Sequence, residues 1–260
     1  AADTDRPDDR IYVLRKGGFY WFSETIRNDG WHLRIVGEEP DPSDVFGNPA
    51  VIQSVAREDG SHPDKLIQAS GSVTLKNLYI VGADESGGQG SYQPVQFDAN
   101  DADYTFDNCI FERSNFAMIA VTGQNNNILV TNCTFRNLIG HPSDQQWQGR
   151  AISIWADQES VIVENNSFIN IGMTALQIEG GAAKYVRFVH NTIVGLGRSV
   201  NTGNWWRDAY FANNLIVNGF WHGEGYADVS AVGRRGYTSG MFGIGALPGK
   251  YGPEEGRRVL

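Results

Sequence analysis

The chain has 260 residues, a formal net charge of −9 and a sequence pI near 5.0. That balance argues against unaided binding to nucleic acid, because phosphate contacts need clustered Lys and Arg. No apolar run is long enough to cross a bilayer, and a chain of this length can bury a core of its own as one domain.

The first residues, Ala1-Ala-Asp-Thr-Asp-Arg-Pro7, read as a mature end left by removal of a signal peptide. The acidic, Asn- and Gly-rich composition suits an extracellular or cell-surface location. From residue 75 onward a short phrase returns. A faint copy at Leu75-Lys-Asn-Leu-Tyr-Ile80 precedes Phe106-Asp-Asn-Cys-Ile-Phe111, Val130-Thr-Asn-Cys-Thr-Phe135, Val163-Glu-Asn-Asn-Ser-Phe168, Phe188-Val-His-Asn-Thr-Ile193 and Phe211-Ala-Asn-Asn-Leu-Ile216. Self-similarity at this period, with no helical pattern inside it, means one supersecondary unit stacked on itself. The fold class expected is all-β, a parallel β-helix of about six to seven coils.

A second phrase fixes the register: Ile67-Gln-Ala69, Val95-Gln-Phe97, Ile119-Ala-Val121, Ile152-Ser-Ile154, Leu176-Gln-Ile178 and Val200-Asn-Thr202. Its steps of 28, 24, 33, 24 and 24 residues give a coil of about 24, with extra length in two coils. Alternation along each strand sends Ile152 and Ile154 inward and Ser153 outward. Propeller blades and leucine-rich repeats need periods and residue lattices that are absent here.

Asn77, Asn108, Asn132, Asn165, His190 and Asn213 occupy one row of the repeat, and Cys109, Cys133, Asn166, Asn191 and Asn214 the next. Asn tolerates the backbone of a sharp bend and bonds along a ladder, so these rows read as turn scaffolding. Cys109 and Cys133 are one coil apart. Buried thiols and a disulfide both fit that spacing.

The two long coils carry their extra residues at the same corner. From Phe111 to Ile119 and from Phe168 to Leu176 the connection takes eight residues, whereas Ile80 to Val95 takes fifteen and Phe135 to Ile152 seventeen. Loops on a rigid scaffold are where binding and catalysis concentrate. The candidate substrate-binding residues are Tyr92, Asp98, Trp147, Trp155, Gln177 and Glu179, because aromatic faces stack on pyranose rings while carboxylates and amides bond hydroxyls. Asp98 and Glu179 sit three coils apart, about 14 Å at the strand spacing of a sheet, too far for the acid–base pair of a glycosidase.

The Asn-Asn-x-Phe/Ile phrases on a coil of about 24 residues, with Trp31-His-Leu-Arg-Ile-Val-Gly37 and Ala50-Val-Ile-Gln53 ahead of them, resemble the right-handed β-helix proteins of the pectate-lyase-like superfamily, secreted bacterial type. The resemblance covers residues 11 to 220 and implies a right-handed winding. Members include lyases, hydrolases, esterases, adhesins and tailspikes, so the fold does not assign chemistry. A lyase would need a base or charge neutraliser, for which His141 and Arg150 are the candidates. It would also need a cation on the uronate, and Asp84, Glu85 and Asp144 are the candidate calcium ligands.

Other motifs lead nowhere. Gly87-Gly-Gln-Gly90 lacks the strand-to-helix context of a nucleotide site, and His222 and Glu224 have no third metal ligand nearby. After Asn218 the period dissolves. Residues 1–220 are therefore read as the solenoid and 221–260 as a Gly-rich cap or assembly segment, ending in Arg257-Arg-Val-Leu260, which looks like a strand beginning. Polysaccharide is the expected partner. The alternative is a structural or adhesive subunit that associates with itself through the solenoid ends, and the abrupt end also fits a piece of a longer protein.

Overall fold

A strand that alternates apolar and polar residues buries one face, and a coil of three such strands turns all three buried faces toward a common axis. In the computed structural model, residues 7, 9–39, 43, 48–88, 90–139, 148–196, 200–202, 206–219, 242–243 and 258–259 are described. Every regular element among them is a strand, and all strand pairs are parallel.

The first sheet has nine strands: Tyr12–Leu14, Leu33–Gly37, Val73–Lys76, Asp103–Asp107, Asn127–Thr131, Gln158–Glu164, Ala183–Val189, Trp206–Ala212 and Arg258–Val259. The second and third sheets have eight strands each, and every coil contributes one strand to each sheet in turn. The result is a parallel β-helix. In the third sheet Val95, Ile119, Ile152 and Leu176 lie one over another. In the second sheet Phe111, Phe135 and Phe168 do the same, their rings stacked with centroids 4.8 and 5.0 Å apart. All seven of these residues are fully buried.

Eight coils are complete and a ninth begins, one or two more than the repeat count suggests. The difference lies at the two ends. The coils Tyr12–Asn28 and Leu33–Ala69 lack the Asn phrase, and Gly37 takes its place in the second. A Cβ on Gly37 would lie 2.1 Å from the Asn77 carbonyl oxygen, so only glycine lets the next coil pass so close. Two strands lie within the segment read as a cap or assembly element. Phe242–Gly243 pairs in parallel with Val200 and Asn201, and Arg258–Val259 with Asp208 and Ala209.

The bend between the first and second sheets is built by Asn. Asn77, Asn108, Asn132, Asn165, His190 and Asn213 all adopt φ between 52° and 57°, the left-handed conformation that Asn enters at low cost. The next row turns inward. Asn166 Oδ1 accepts the Cys133 N–H at 2.8 Å while its Nδ2 donates to the Val130 carbonyl at 3.0 Å. Asn191 does the same for Asn166 N–H and Val163 O, and Asn214 for Asn191 N–H and Phe188 O. Each inward amide thus satisfies the donor and acceptor that the bend strips from the preceding coil.

Cys109 and Cys133 are free, buried thiols in the same row, with the Cys109 N–H directed at Cys133 Sγ at 3.4 Å. Burial and the neighbouring Cys109 thiol push the Cys133 thiol well up, so it stays protonated. Sulfur here fills the slot that amides fill in later coils.

Asn191→Ala should cost about 2–4 kcal/mol, because it orphans a buried N–H and a buried carbonyl. Asn165→Gly should change stability by less than about 1 kcal/mol, since glycine keeps the positive φ. Urea unfolding of both variants measures the contrast.

Candidate functional site

Each bend that joins the second sheet to the third leaves the solenoid at one corner. Residues 82–94 connect the strand Leu78–Val81 to Val95–Phe97, and residues 139–149 connect Thr134–Leu138 to Arg150–Ile154. One further long connection shares this corner: 55–66, after Ala50–Ser54. The backbone of the bends is stitched together where they rejoin the third sheet. Phe116 N–H donates to Tyr92 O at 3.0 Å, Gly149 and Arg150 N–H donate to Phe116 O, and Met173 N–H donates to Gly149 O at 2.8 Å.

That stitching stacks side chains from three consecutive coils. The Tyr92 and Phe116 rings lie 5.1 Å apart and the Phe116 and Trp155 rings 5.9 Å apart, each pair within 16° of parallel. Tyr92 and Trp155 form the two ends of the column. Trp155 belongs to a row that runs Ser70, Asp98, Thr122, Trp155, Glu179, as set by the backbone bonds of these residues to the inner row below them. Asp98 and Glu179 are thus three coils apart, as expected. Next to Trp155 the coil passes through Gly180, whose Cβ would lie 2.2 Å from the Trp155 carbonyl oxygen.

Arg150 lies over Phe116, its guanidinium carbon 4.5 Å from the ring centroid. Its Nη1 donates to Glu179 Oε2 at 2.7 Å and to Ser153 Oγ at 3.1 Å, and its Nε sits 3.3 Å from Met173 Sδ. The side chain is 2% exposed, against 39% for Glu179. Arg150 is therefore not the open loop cation that the sequence suggests but the buried half of an ion pair. A guanidinium cannot be deprotonated in a protein, so among the two roles named for it only charge neutralisation fits this residue.

Gln177 needs the same correction. It lies on the outer face in register with Ser153, yet it is buried and accepts a hydrogen bond from Thr174 Oγ1 at 3.3 Å. The outward position Ala120 is buried as well, and Met118, Ala151 and Ala175, outward by alternation, lie instead in the hydrophobic core, so alternation fails at the start of these strands. Asp98 is exposed and accepts from Ser70 Oγ at 2.7 Å and from Gln68 Nε2 at 3.3 Å.

Asp84 and Glu85 build the bend. Asp84 Oδ1 accepts from Ser86 Oγ, Ser86 N–H and Gly88 N–H at 2.6 to 2.9 Å, and its Oδ2 faces His62 Nε2 at 3.6 Å across the bend of the preceding coil. Glu85 accepts from the Ala56 N–H. Among the described residues no three His, Cys, Asp or Glu side chains form a group that could hold a metal ion. His141, Asp144 and Trp147 lie outside the described residues. The structure thus brings together Tyr92, Arg150, Trp155, Gln177 and Glu179. It adds Phe116, which a connection of ordinary length conceals, and His62, whose bend precedes the clear repeats.

The sequence matches the family described as right handed beta helix region over residues 66–223, and the chain belongs to that family. No curated protein matches it.

Burial pushes the Asp84 carboxyl up, but the bonds from Ser86 and Gly88 and the His62 imidazole outweigh it and hold the pKa below the ordinary aspartate range. A depressed folded-state pKa adds stability above the unfolded value near 3.9 and loses it as pH falls through the folded value. The wild type should therefore lose stability more steeply than Asp84→Asn as pH falls below about 4, read by chemical denaturation across that range.

Proposed function

We propose that this corner binds polysaccharide, in a protein that works outside the cell or on its surface. The observation that carries this reading is the Tyr92–Phe116–Trp155 column beside Glu179, at the corner where the enlarged bends leave the solenoid. A sugar ring presents an apolar face to an aromatic ring and hydroxyls to a carboxylate, and the column supplies both within one coil spacing. Tyr92, which is exposed, and Trp155 end the column and are the stacking residues. Phe116 and Arg150 hold them in place.

Cleavage is a separate question, resting on His141 as base and on calcium at Asp144, both proposals from sequence. Incubation with polyuronates in the presence of Ca²⁺, followed by the absorbance of unsaturated product, tests it. A second reading, assembly through the solenoid ends, is favoured by the first coil, where Val13, Phe19 and Trp21 are exposed. A concentration-dependent sedimentation coefficient would favour assembly, and a constant monomer value the binding site.

Trp155→Ala should weaken retention on the bound polymer at least about tenfold, a loss of roughly 1.4 kcal/mol. Affinity electrophoresis reads it, with circular dichroism to confirm the fold. Retention equal to wild type would contradict the placement of the site.

A further inference from the structure

Resting on that reading of the corner, we infer that the polymer it takes is uncharged rather than acidic, and that Glu179 is the residue that bonds its hydroxyls. A polyuronate must bring carboxylates against the site and needs a cation to meet them. The cation in contact with the aromatic column is Arg150, and its guanidinium is buried and held by Glu179, Ser153 and Met173. Drawing it outward would break a buried pair and strip the charge of its partners. Arg113, in the same short connection as Phe116, gives its Nη1 to the Gly87 carbonyl at 2.9 Å. The charges on the exposed side of the row are carboxylates, Asp98 and Glu179. In the bend 55–66 Arg57 is paired with Glu24 at 2.9 Å, and the sequence 140–147 contains no Lys or Arg.

The same geometry suits hydroxyl donors. Glu179 has one oxygen held by Arg150, while Oε1 has no partner among the described residues, and the carboxylate is 39% exposed beside Trp155. A carboxylate oxygen oriented in this way accepts a charge-assisted hydrogen bond from a sugar hydroxyl. Arg150 is then a positioning residue. It sets the direction of Oε1 without touching the ligand.

The full chain is tested by affinity electrophoresis in gels containing a β-glucan, a galactomannan or a xylan on one side, and polygalacturonate or alginate, with and without Ca²⁺, on the other. At least one neutral polymer should retard the protein about tenfold more strongly than either uronate. That retardation should change less than about twofold between low and high salt, since no ion pair with the ligand is screened. Glu179→Ala and Arg150→Lys should each weaken it several-fold, and the double variant should be no weaker than Glu179→Ala alone, because both act through one oxygen. Glu179→Gln, which keeps an acceptor in place, should lose less than Glu179→Ala, and this comparison holds even if Arg150→Lys fails to fold. Stronger retardation by a uronate than by every neutral polymer would overturn the inference, as would additive losses in the double variant. Retardation by none of the polymers would instead overturn the reading of the corner as a glycan site.

Discussion

The inward amide of the Asn bend is the constraint on which the rest of the molecule depends. A solenoid strand is hydrogen-bonded to its neighbours above and below, but a sharp bend removes backbone partners at every turn, and buried backbone groups without partners are costly. Asn166, Asn191 and Asn214 return both partners from the next coil, so each of these layers is locked to the one before it at one angular position, and Cys133 Sγ takes the N–H of Cys109 in the same slot one coil earlier. With that angle fixed, the apolar ladders of all three sheets fall into line. Phe111, Phe135 and Phe168 can then stack within about 5 Å.

A rigid bend on one side leaves the opposite corner free to vary. The side leading from the second sheet to the third carries only a short row of this kind, Asn137 and Asn170 with φ of 55° and 56° and the Asn170 Nδ2 donating to Asn137 Oδ1, and beyond it the connection accepts segments of very different length in successive coils. Because the layers are in register, residues far apart in sequence meet there. Tyr92, Phe116 and Trp155 come from three coils, and the ion pair of Arg150 with Glu179 joins two. An ion pair this deep is not a source of net stability over an apolar pair of the same shape, because desolvation offsets the attraction. Its persistence at a solvent-facing carboxylate is better explained by orientation of Glu179 than by stability.

Much of this was legible in the chain because period and alternation are geometric. The ladder of Ile119, Ile152 and Leu176, the left-handed Asn row, the shared corner and the three-coil separation of Asp98 and Glu179 all follow from counting residues. Counting fails where the repeat has no marker, as in the first two coils and in the bend at 55–66 that carries His62. It also gives the side of a sheet without saying what lies over it. That is why Gln177 reads as an open ligand contact and is buried. Phe116 is invisible for a third reason: its role is created by neighbours in adjacent coils and not by any feature of its own segment.

The most direct test of the central claim is a crystal structure of the chain with an oligosaccharide cut from the polymer it retains. A sugar ring against Trp155 or Tyr92, with a hydroxyl within hydrogen-bond reach of Glu179 Oε1 and Arg150 still paired with that carboxylate, is the result expected. A sugar bound elsewhere, such as on the Tyr185 and Tyr210 pair of the first sheet, with the corner untouched, would contradict the account.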